Sequence, residues 1–599
     1  MTKTCQSCGI SFEIIADDAR FYERVRVPVP TWCPECRMIR RYMRRNERAL
    51  YKRACGLCGA EKISMFSAAS PFTVYCKECW RSDAWDAGSF GRAYDFSKQF
   101  FAQWGELLAA VPRQGIIQQG DMVDSEYVNR SSYCKGCYLV SGATRAEYCR
   151  YGTWFIDAKD SMDCYNLQKS ERCYSCVDCA NCYNLAYSRE CDGCSDGWLL
   201  LNCRNCQNCI GCVNARNKKY CIFNEQYTRE EYEKRMRTFG IGSFAALEKL
   251  QQRHSEHVKR FVVPWAVMRR NAASSGNWIQ DCKNVVKSFN CRNVEDAKFC
   301  SSLFEAKDAM DYSHWGNGAE RIYECMNVGA QAANCRFLNE CWTQIRDAEY
   351  CMNCENASDL FGCIGLRNKQ YCILNMQYSK NDYEGLVTRI RAHMRDMPYS
   401  DKKGRVYGYG EFFPPELSVF AYNETLAQEF FPLSKEEALA QGYAWKDPEE
   451  KQHAITLSAS DLPDHVRDVG DDIAQQIIGC GHNRSCKHQC TGAFKILPQE
   501  LAVYRAASIP LPRLCPNCRH FERIAQRPSL SLYSRNCMCG GISAVGDTNS
   551  HGGPEARTYN NTTAHQHGAA PCRNEFETSY APDDPEMVYC EECYNAEVV

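Results

Sequence analysis

In the middle of the chain, small apolar positions recur among polar ones at a fixed step, and cysteine marks that step. Successive cysteines of two overlapping series differ by the same fifteen positions, as in Cys134, Cys149, Cys164, Cys179, Cys194 and Cys209, and in Cys176, Cys191, Cys206 and Cys221. A short fixed period without helical spacing predicts a β-solenoid, in which equivalent residues of successive coils stack. Because free cysteine is small and among the most buried residue types, we expect an inward ladder of reduced thiols rather than metal ligands or disulfides.

This solenoid pattern occurs twice. The segment ARNKKYCIFNEQY at 215–227 matches LRNKQYCILNMQY at 366–378. The second copy has ten cysteines against fifteen in the first, and interior packing tolerates such replacement better than metal binding does. The acid pairs Asp160/Asp163 and Asp308/Asp311 occupy matching positions. Turn chemistry is the expected role of both pairs, in preference to calcium binding or glycan cleavage.

Helix signals follow each copy and separate the other segments. Thr228-x-x-Glu231 and Ser379-x-x-Asp382 predict helices that cap the two solenoids. The apolar spacing between residues 90 and 111 predicts an amphipathic packing helix. Residues 397–479, with a further helix start at Ser434-x-x-Glu437, predict a small α+β segment.

The N-terminal cysteines have a different spacing, which is typical of zinc sites. They come in four pairs separated by two residues each. Such a pair lets both thiolates of a tight turn reach one ion, and two pairs complete a tetrahedral site, so four pairs predict two zinc ions. The predicted ligands are Cys5, Cys8, Cys33, Cys36, Cys55, Cys58, Cys76 and Cys79.

The C-terminus repeats this module. Adding 482 to the numbers of residues 8–55 gives sixteen identical positions, and these include every cysteine of that stretch. Cys486 is then the expected partner of Cys490, and five thiols compete for the four positions of the last site. About four zinc ions per chain are predicted. The predicted C-terminal ligands are Cys486, Cys490, Cys515, Cys518, Cys537, Cys539, Cys572, Cys590 and Cys593.

Two clusters near these sites stay open. Cys480, His482 and His488 surround the Cys486/Cys490 pair. They form a further ligand set, or one of them substitutes in the main site or borders it. Residues 540–570 are an insertion rich in Gly, Thr, Asn and His, which predicts a flexible loop. Its His551, His565 and His567 are expected to be solvated, with metal binding as the alternative.

The motifs CxxCGxxF at 5–12, FY at 21–22 and PxPxxCPxCR at 28–37 resemble the small probable zinc-ribbon domains, of treble-clef type, found in bacterial proteins. The layout as a whole resembles large multi-ribbon proteins of small-genome bacteria. The resemblance implies zinc and a cytoplasmic bacterial setting, and it implies no activity.

The expected fold is therefore multi-domain and mainly β, with a duplicated cysteine-rich β-solenoid flanked by zinc-ribbon or treble-clef modules. The 599 residues divide into seven predicted segments. These are a double zinc-ribbon module (1–85), a helical linker (86–111), solenoid copy 1 (112–238), a second helical linker (239–261), solenoid copy 2 (262–396), the α+β segment (397–479) and the C-terminal double module (480–599).

The net charge of −1 excludes a global field that would recruit nucleic acid or membrane. One local stripe differs, because arginines recur at helical spacing after Cys36. The guanidinium group of arginine can donate two hydrogen bonds to phosphate oxygens. We therefore expect the protein to bind RNA more than DNA, or a ribonucleoprotein. The alternative is a helix face that is solvated or that pairs with an acidic partner. The expected contacts are Arg37, Arg40, Arg41, Arg44, Arg45, Arg48, Arg519 and Arg523.

Other functional classes have weaker support. Phosphate-loop, zinc-protease and nucleophile-elbow motifs are missing from the sequence, so an enzyme is not favoured. A protein-interaction scaffold built on the double solenoid is the main alternative, and a thiol or metal buffer or an unrecognised enzyme comes next. The N-terminus lacks a secretion signal, and apolar runs reach only about eight residues. A cytoplasmic protein without a membrane partner is expected.

Overall fold

The computed structural model describes residues 1–153, 183–316, 318, 323–324, 336–448, 453–541, 549–551, 557–559 and 561–599. The expectation of a mainly β protein with a β-solenoid is confirmed. Asp160 and Asp163, and the solenoid cysteines between residues 164 and 182, lie outside the described residues.

The chain divides into two compact units, each assembled from distant stretches of sequence. Unit 1 contains Met1–Ile117, Ala266–Lys446 and Leu530–Leu532. Unit 2 contains Gln118–Trp265, Asp447–Ser529 and Tyr533–Val599. The N-terminal module thus shares a unit with solenoid copy 2, and the C-terminal module shares one with solenoid copy 1. The predicted α+β segment is divided between the two units after Lys446.

The described residues contain four copies of one small motif, which we call a hairpin–helix module. Each module has a two-stranded antiparallel hairpin whose turn carries cysteines. Each also has a helix whose N-cap residue is a cysteine: Cys33, Cys76, Cys515 or Cys590. The partial positive charge of a helix N-terminus favours a thiolate at this position.

Modules 1 and 2 belong to unit 1, and modules 3 and 4 to unit 2. Module 1 has strands Thr2–Thr4 and Ser11–Glu13 with helices Ala16–Arg24 and Pro34–Tyr42. Module 2 has strands Tyr51–Ala54 and Glu61–Ser64 with helix Lys77–Arg81. Module 3 has strands Ile478–Gly479 and Ala493–Phe494 with helices Pro498–Ala506 and Pro516–Ile524. Module 4 has strands Tyr533–Asn536 and Glu575–Thr578 with helix Glu591–Val598.

The solenoid strands pair in parallel, most of them with an offset of twelve residues; offsets of eleven and thirteen occur where Met268 pairs with Ile279 and Gln118 pairs with Ser131. Ser195 pairs with Gln207, and Gln207 pairs with Lys219, so each partner lies twelve positions further along the chain. In unit 1, Gly276 pairs with Ser288 at the same offset. One coil is therefore one such interval of twelve, and the predicted step of fifteen is wrong.

The reason lies in a three-residue subunit of the coil. Every third residue has a left-handed backbone, for example Asn202, Asn205 and Asn208 at φ near 50°. The residue after each of these points inward and is buried, as at Cys203, Cys206 and Cys209. Twelve and fifteen are both multiples of three, so inward cysteines can recur at either interval. Only residues twelve positions apart lie above one another in adjacent coils.

The inward residues of successive triplets fill the two solenoid interiors, and most of them are Cys, Ala, Val or Leu. The strands of copy 1 in unit 2 are Gln118–Val123, Ser131–Lys135, Tyr183–Ala186, Ser195–Trp198, Gln207–Ile210, Lys219–Ile222 and Glu225–Gln226. The strands of copy 2 in unit 1 are Met268–Arg269, Gly276–Gln280, Lys283–Val286, Ser288–Lys298, Phe304–Met310, Trp342–Glu349, Glu355–Phe361, Gln370–Ile373 and Met376–Gln377.

The predicted capping helices are confirmed. Helix Arg229–Thr238 follows copy 1, and the Thr228 hydroxyl accepts a hydrogen bond from the Glu231 amide. Helix Lys380–Asp396 follows copy 2, and Ser379 caps it in the same way. Antiparallel pairing of the last two strands ends each parallel sheet before its helix, which limits the exposed strand edge.

The remaining helices include the predicted packing helix, which is confirmed as Phe100–Ala110 in the core of unit 1. Among the described helices, none combines the length and the apolar character needed to cross a bilayer.

Unit 1 also has helices Leu426–Phe430 and Lys435–Ala440, strands Val74–Tyr75, Arg113–Gln114, Tyr399–Ser400 and Val406–Tyr407, and 3-10 turns Ala87–Phe90, Pro415–Leu417 and Tyr422–Glu424. Unit 2 also has helix Phe244–Val258, strands Val262–Pro264, Asn549–His551, Arg557–Tyr559 and Met587–Tyr589, and 3-10 turns Ala459–Asp461, Val466–Asp468 and Asp471–Gln475.

Candidate metal centres

In module 1 the four predicted cysteines come together. The sulfur atoms of Cys5, Cys8, Cys33 and Cys36 all lie within 4.8 Å of one another. The Sγ atoms of Cys8 and Cys33 are 3.8 Å apart. Four thiolates about 2.3 Å from one zinc ion lie about 3.8 Å from each other, so the spacing suits a tetrahedral ion.

Module 2 brings together Cys55, Cys58, Cys76 and Cys79 in the same way. The Sγ atoms of Cys58 and Cys76 are 4.0 Å apart. Burial opposes ionisation of Cys55, but amide N–H groups of Cys58, Cys76 and Leu57 outweigh it and lower its pKa to about 6. A lower pKa raises the fraction of thiolate, and the thiolate is the form of cysteine that binds a metal ion.

Module 3 contains a different ligand set from the predicted one. The group that matches modules 1 and 2 is Cys480, Cys490, Cys515 and Cys518. Cys480 takes the place of Cys5, because the amide of Cys515 donates to Cys480 Sγ at 3.2 Å as the amide of Cys33 does to Cys5 Sγ. The pairing of Cys486 with Cys490 is therefore wrong, since the hairpin turn here is longer and its first cysteine lies earlier in the chain.

Module 4 settles which of its five thiols form the matching group. Cys537, Cys572, Cys590 and Cys593 lie within 4.8 Å of one another. The Cys537 side chain is the main cause of a low pKa at Cys590, which falls to about 4 although burial opposes ionisation. Cys539 points elsewhere, to His565 Nδ1 at 3.2 Å and His567 Nε2 at 3.4 Å.

The expectation that the histidines of the insertion are solvated is wrong for His565, which is 6% exposed. His567 is half-buried, and its Nε2 atom lies 3.2 Å from Cys593 Sγ. Their positions follow from the chain path, which returns from the insertion to Cys572 alongside the helix Glu591–Val598.

The described solenoid thiols behave as packing groups. None of the 36 described cysteines forms a disulfide, and those inside the solenoids are buried. Several donate their S–H to the carbonyl nine residues later, as Cys203 does to Cys212 and Cys363 does to Cys372, both at 3.3 Å. Burial raises the pKa of Cys300 to about 12, which keeps this thiol protonated.

The arginines expected to face phosphate are instead buried within unit 1. Arg37 Nε and Arg41 Nη1 donate to the two carboxylate oxygens of Asp311 at 3.0 and 3.2 Å. Arg37, Arg41 and Asp311 are each at most 1% exposed. The predicted solvent-facing stripe is therefore wrong here, because the basic face of helix Pro34–Tyr42 packs against the solenoid and is not exposed to solvent.

Arg40 is buried in the same way. Its Nη2 atom lies 2.7 Å from both carboxylate oxygens of Glu324, and its Nη1 atom lies 3.3 Å from Glu411. Three buried arginines of this helix thus pair with three buried acids, Arg37 and Arg41 with Asp311 and Arg40 with Glu324 and Glu411, as buried charges require. Sequence reasoning missed these acids because all three are far from the helix along the chain.

The neighbouring arginines are also used inside the unit. Arg44 donates to the Pro414 carbonyl at 2.9 Å and lies over the Phe413 ring. Arg45 donates to Glu47 at 2.6 Å, and Arg48 is half-buried.

In unit 2 the equivalents of Arg37 and Arg41 are Arg519 and Arg523, which are 7% and 4% exposed. The Arg519 guanidinium lies over the Tyr151 ring at 4.7 Å. Glu500 lies 4.0 Å from Arg519 and accepts a hydrogen bond from Tyr151 at 2.7 Å. A basic helix packed against a solenoid is therefore common to both units.

Comparisons with family models, curated proteins and solved structures give no match to this chain.

Proposed function

We propose that the chain is a non-enzymatic scaffold protein in which zinc folds four hairpin–helix modules and the modules hold two β-solenoids. The observation that carries the proposal is the buried network of Arg37, Arg40 and Arg41 with acids of the solenoid side of unit 1. Arginines that are neutralised by buried acids hold their helix against the solenoid. Their guanidinium groups are then not free to bind the phosphate of an external ligand.

Zinc is the proposed ion because the four matching groups contain only cysteine. Soft thiolates in a closed tetrahedral set favour zinc over magnesium or calcium. A closed set also leaves no position for water or substrate, which supports a structural role over catalysis.

The experiment is removal of the metal from the full chain, followed by hydrogen exchange of individual segments. We expect metal analysis to find zinc. A strong chelator should deprotect helices Pro34–Tyr42 and Pro516–Ile524, because small modules lack a core without their ion. Protection of the strand Glu355–Phe361 is the internal reference for the solenoid. Zinc-free protein with unchanged protection in both helices would contradict the proposal.

The proposed scaffold has two exposed tyrosines on solenoid copy 1 in unit 2. Tyr133 and Tyr148 are 56% and 42% exposed, and their rings lie over Gly120 and Gly136, where a Cβ would approach within 2.7 Å of the ring. Exposed aromatic rings held flat against a rigid coil are typical of protein-binding surfaces. We propose this face as the contact for a protein partner.

The corresponding test uses the full chain, because a fragment limited to the two solenoid copies would contain only part of each unit. A photo-crosslinking side chain in place of Val123, which is 48% exposed and pairs with Lys135 of the next coil, should give a discrete adduct with one protein in the source cell. Tyr133→Ala with Tyr148→Ala should remove that adduct, while the same replacement at half-buried Tyr371 should not. An adduct that survives the double variant would reject this face.

A further inference from the structure

Modules 3 and 4 contain histidines and a fifth cysteine that the matching four-cysteine groups do not use. In module 3 these are His482, Cys486 and His488, and in module 4 they are Cys539, His565 and His567. Both sets lie in residues added between the first two cysteines of the module. Only two residues separate Cys5 from Cys8, whereas nine separate Cys480 from Cys490 and 34 separate Cys537 from Cys572.

In module 3 the extra set shares a cysteine with the main group. His482, Cys486, His488 and Cys518 lie within 4.8 Å of one another, and Cys518 also belongs to the Cys480 group. Cys518 Sγ is 3.6 Å from Cys486 Sγ on one side and 3.8 Å from Cys480 Sγ on the other. Its sulfur is therefore at ligand spacing from both sets.

The imidazoles of module 3 are oriented as ligands. The Nδ1 atoms of His482 and His488 are buried and have no hydrogen-bond partner. On the opposite side of its ring, His482 Nε2 lies 3.4 Å from the Glu522 carboxylate. A carboxylate that holds one ring nitrogen while the other faces a metal is a recurring arrangement around metal ligands.

Module 4 repeats this arrangement with different residues. His567 Nε2 lies between Cys539 Sγ and Cys593 Sγ, at 3.4 and 3.2 Å, and Cys593 also belongs to the main group. The far nitrogens of both rings meet acceptors, His565 Nε2 at Glu597 and His567 Nδ1 at the Ala570 carbonyl. In neutral rings these far nitrogens carry the hydrogen, so both lone pairs face Cys539.

Hydrogen bonding alone does not satisfy Cys539. A thiol has one hydrogen to donate, so it satisfies only one of the two imidazole lone pairs that face it. The Asn561 amide donates to the sulfur at 3.2 Å and does not use that hydrogen. A metal ion bound by the thiolate and both imidazoles satisfies all three groups, because each nitrogen and the sulfur then donate to the ion.

We infer that modules 3 and 4 each hold two divalent metal ions joined by one bridging thiolate, from Cys518 in module 3 and from Cys593 in module 4. In each centre one ion has four cysteines, and the second has two histidines, one unshared cysteine and the bridge. Two dications and five thiolates leave a net charge of −1, against −2 for a four-cysteine site in module 1. The inference rests on the proposed zinc occupancy of the modules.

The first experiment is native mass spectrometry of the zinc-loaded full chain after dialysis against a weak chelator. We expect about six tightly held ions per chain, two from modules 1 and 2 and four from modules 3 and 4. A count of four would overturn the bridged centres while leaving the zinc proposal intact. A count of zero or one would overturn both.

Variants assign the additional ions. His482→Ala with His488→Ala should remove one ion, and His565→Ala with His567→Ala should remove one other. His453→Ala, which changes an exposed histidine outside both sets, is the matched control and should remove none. Full metal content in both double variants would overturn the inference.

Cadmium-113 NMR of the cadmium-substituted wild-type chain tests the bridge without any variant, so it remains decisive if a variant fails to fold. Two cadmium nuclei bound to one sulfur are coupled through it, so we expect two coupled pairs among the resonances. Resonances without any coupling would exclude a bridging cysteine.

Discussion

At the scale of single residues, one carboxylate shows how tertiary contacts decide a role. Asp308 and Asp311 have the same left-handed backbone and the same place in their triplets. Asp308 contacts the exposed Arg24, whereas Asp311 is fully buried between Arg37 and Arg41. The sequence predicted turn chemistry for both, and only Asp311 acts as a buried counter-ion.

This difference predicts a large contrast between two matched variants. Asp311→Asn should destabilise unit 1 by about 3–5 kcal/mol, because it leaves two buried guanidinium groups without their charge partner. Asp308→Asn should cost about 0–1 kcal/mol, as for an exposed pair. Asparagine tolerates the left-handed backbone at both positions. Hydrogen exchange of the strand Phe304–Met310 in the full chain measures both, and equal losses would show that the charge network contributes nothing.

At the scale of elements, the triplet explains why cysteine and asparagine dominate the solenoid. The inward position is filled mostly by small or compact apolar side chains. The residue before it needs a positive φ, which Asn, Asp and Gly adopt at least cost. The segment NCRNCQNC at 202–209 shows both requirements directly. The three-residue repeat could therefore have been found from the sequence, and the longer interval of fifteen concealed it.

Substitutions at one corner of a coil test this requirement. Asn217 has φ 54° and is exposed. Asn217→Val should destabilise the strand Lys219–Ile222 by about 1–2 kcal/mol, because β-branched residues disfavour this backbone. Asn217→Gly should be nearly neutral. Lys219→Val places the same side chain at an exposed strand position, where we expect no loss. Thermal unfolding of the three variants gives the comparison, and similar midpoints for all three would disprove the backbone explanation.

At the scale of the whole molecule, the two units differ in the candidate metal-ligand groups of their modules. Unit 1 has two short-turn modules with four cysteines each, and unit 2 has two extended modules with additional Cys and His side chains. Both units use a basic helix to pack a module on a solenoid. The chain therefore repeats one architectural plan with candidate ligand groups of two sizes.

Buried arginines also predict how the full chain responds to nucleic acid. Zinc-loaded protein mixed with an RNA and DNA pool at two salt concentrations should show no steep binding through Arg37, Arg40 or Arg41. Binding that used them would weaken by about 0.7–0.9 log units per log unit of salt for each phosphate neutralised. Steep binding that Arg40→Met abolishes, with the fold intact by hydrogen exchange, would contradict the assignment of these arginines to the interior.

The sequence by itself determined the local features of this protein. The solenoid class, the capping helices at Thr228 and Ser379 and the cysteine pairs of modules 1 and 2 follow from periodicity, capping residues and spacing, which act over a few residues. Tertiary structure decided the rest. It selected Cys480 over Cys486, brought His565 to Cys539 and buried Arg41 against Asp311. Each of these outcomes depends on which distant segments pack together, and in a chain whose units are assembled from non-adjacent stretches that choice is made by packing and charge neutralisation in three dimensions.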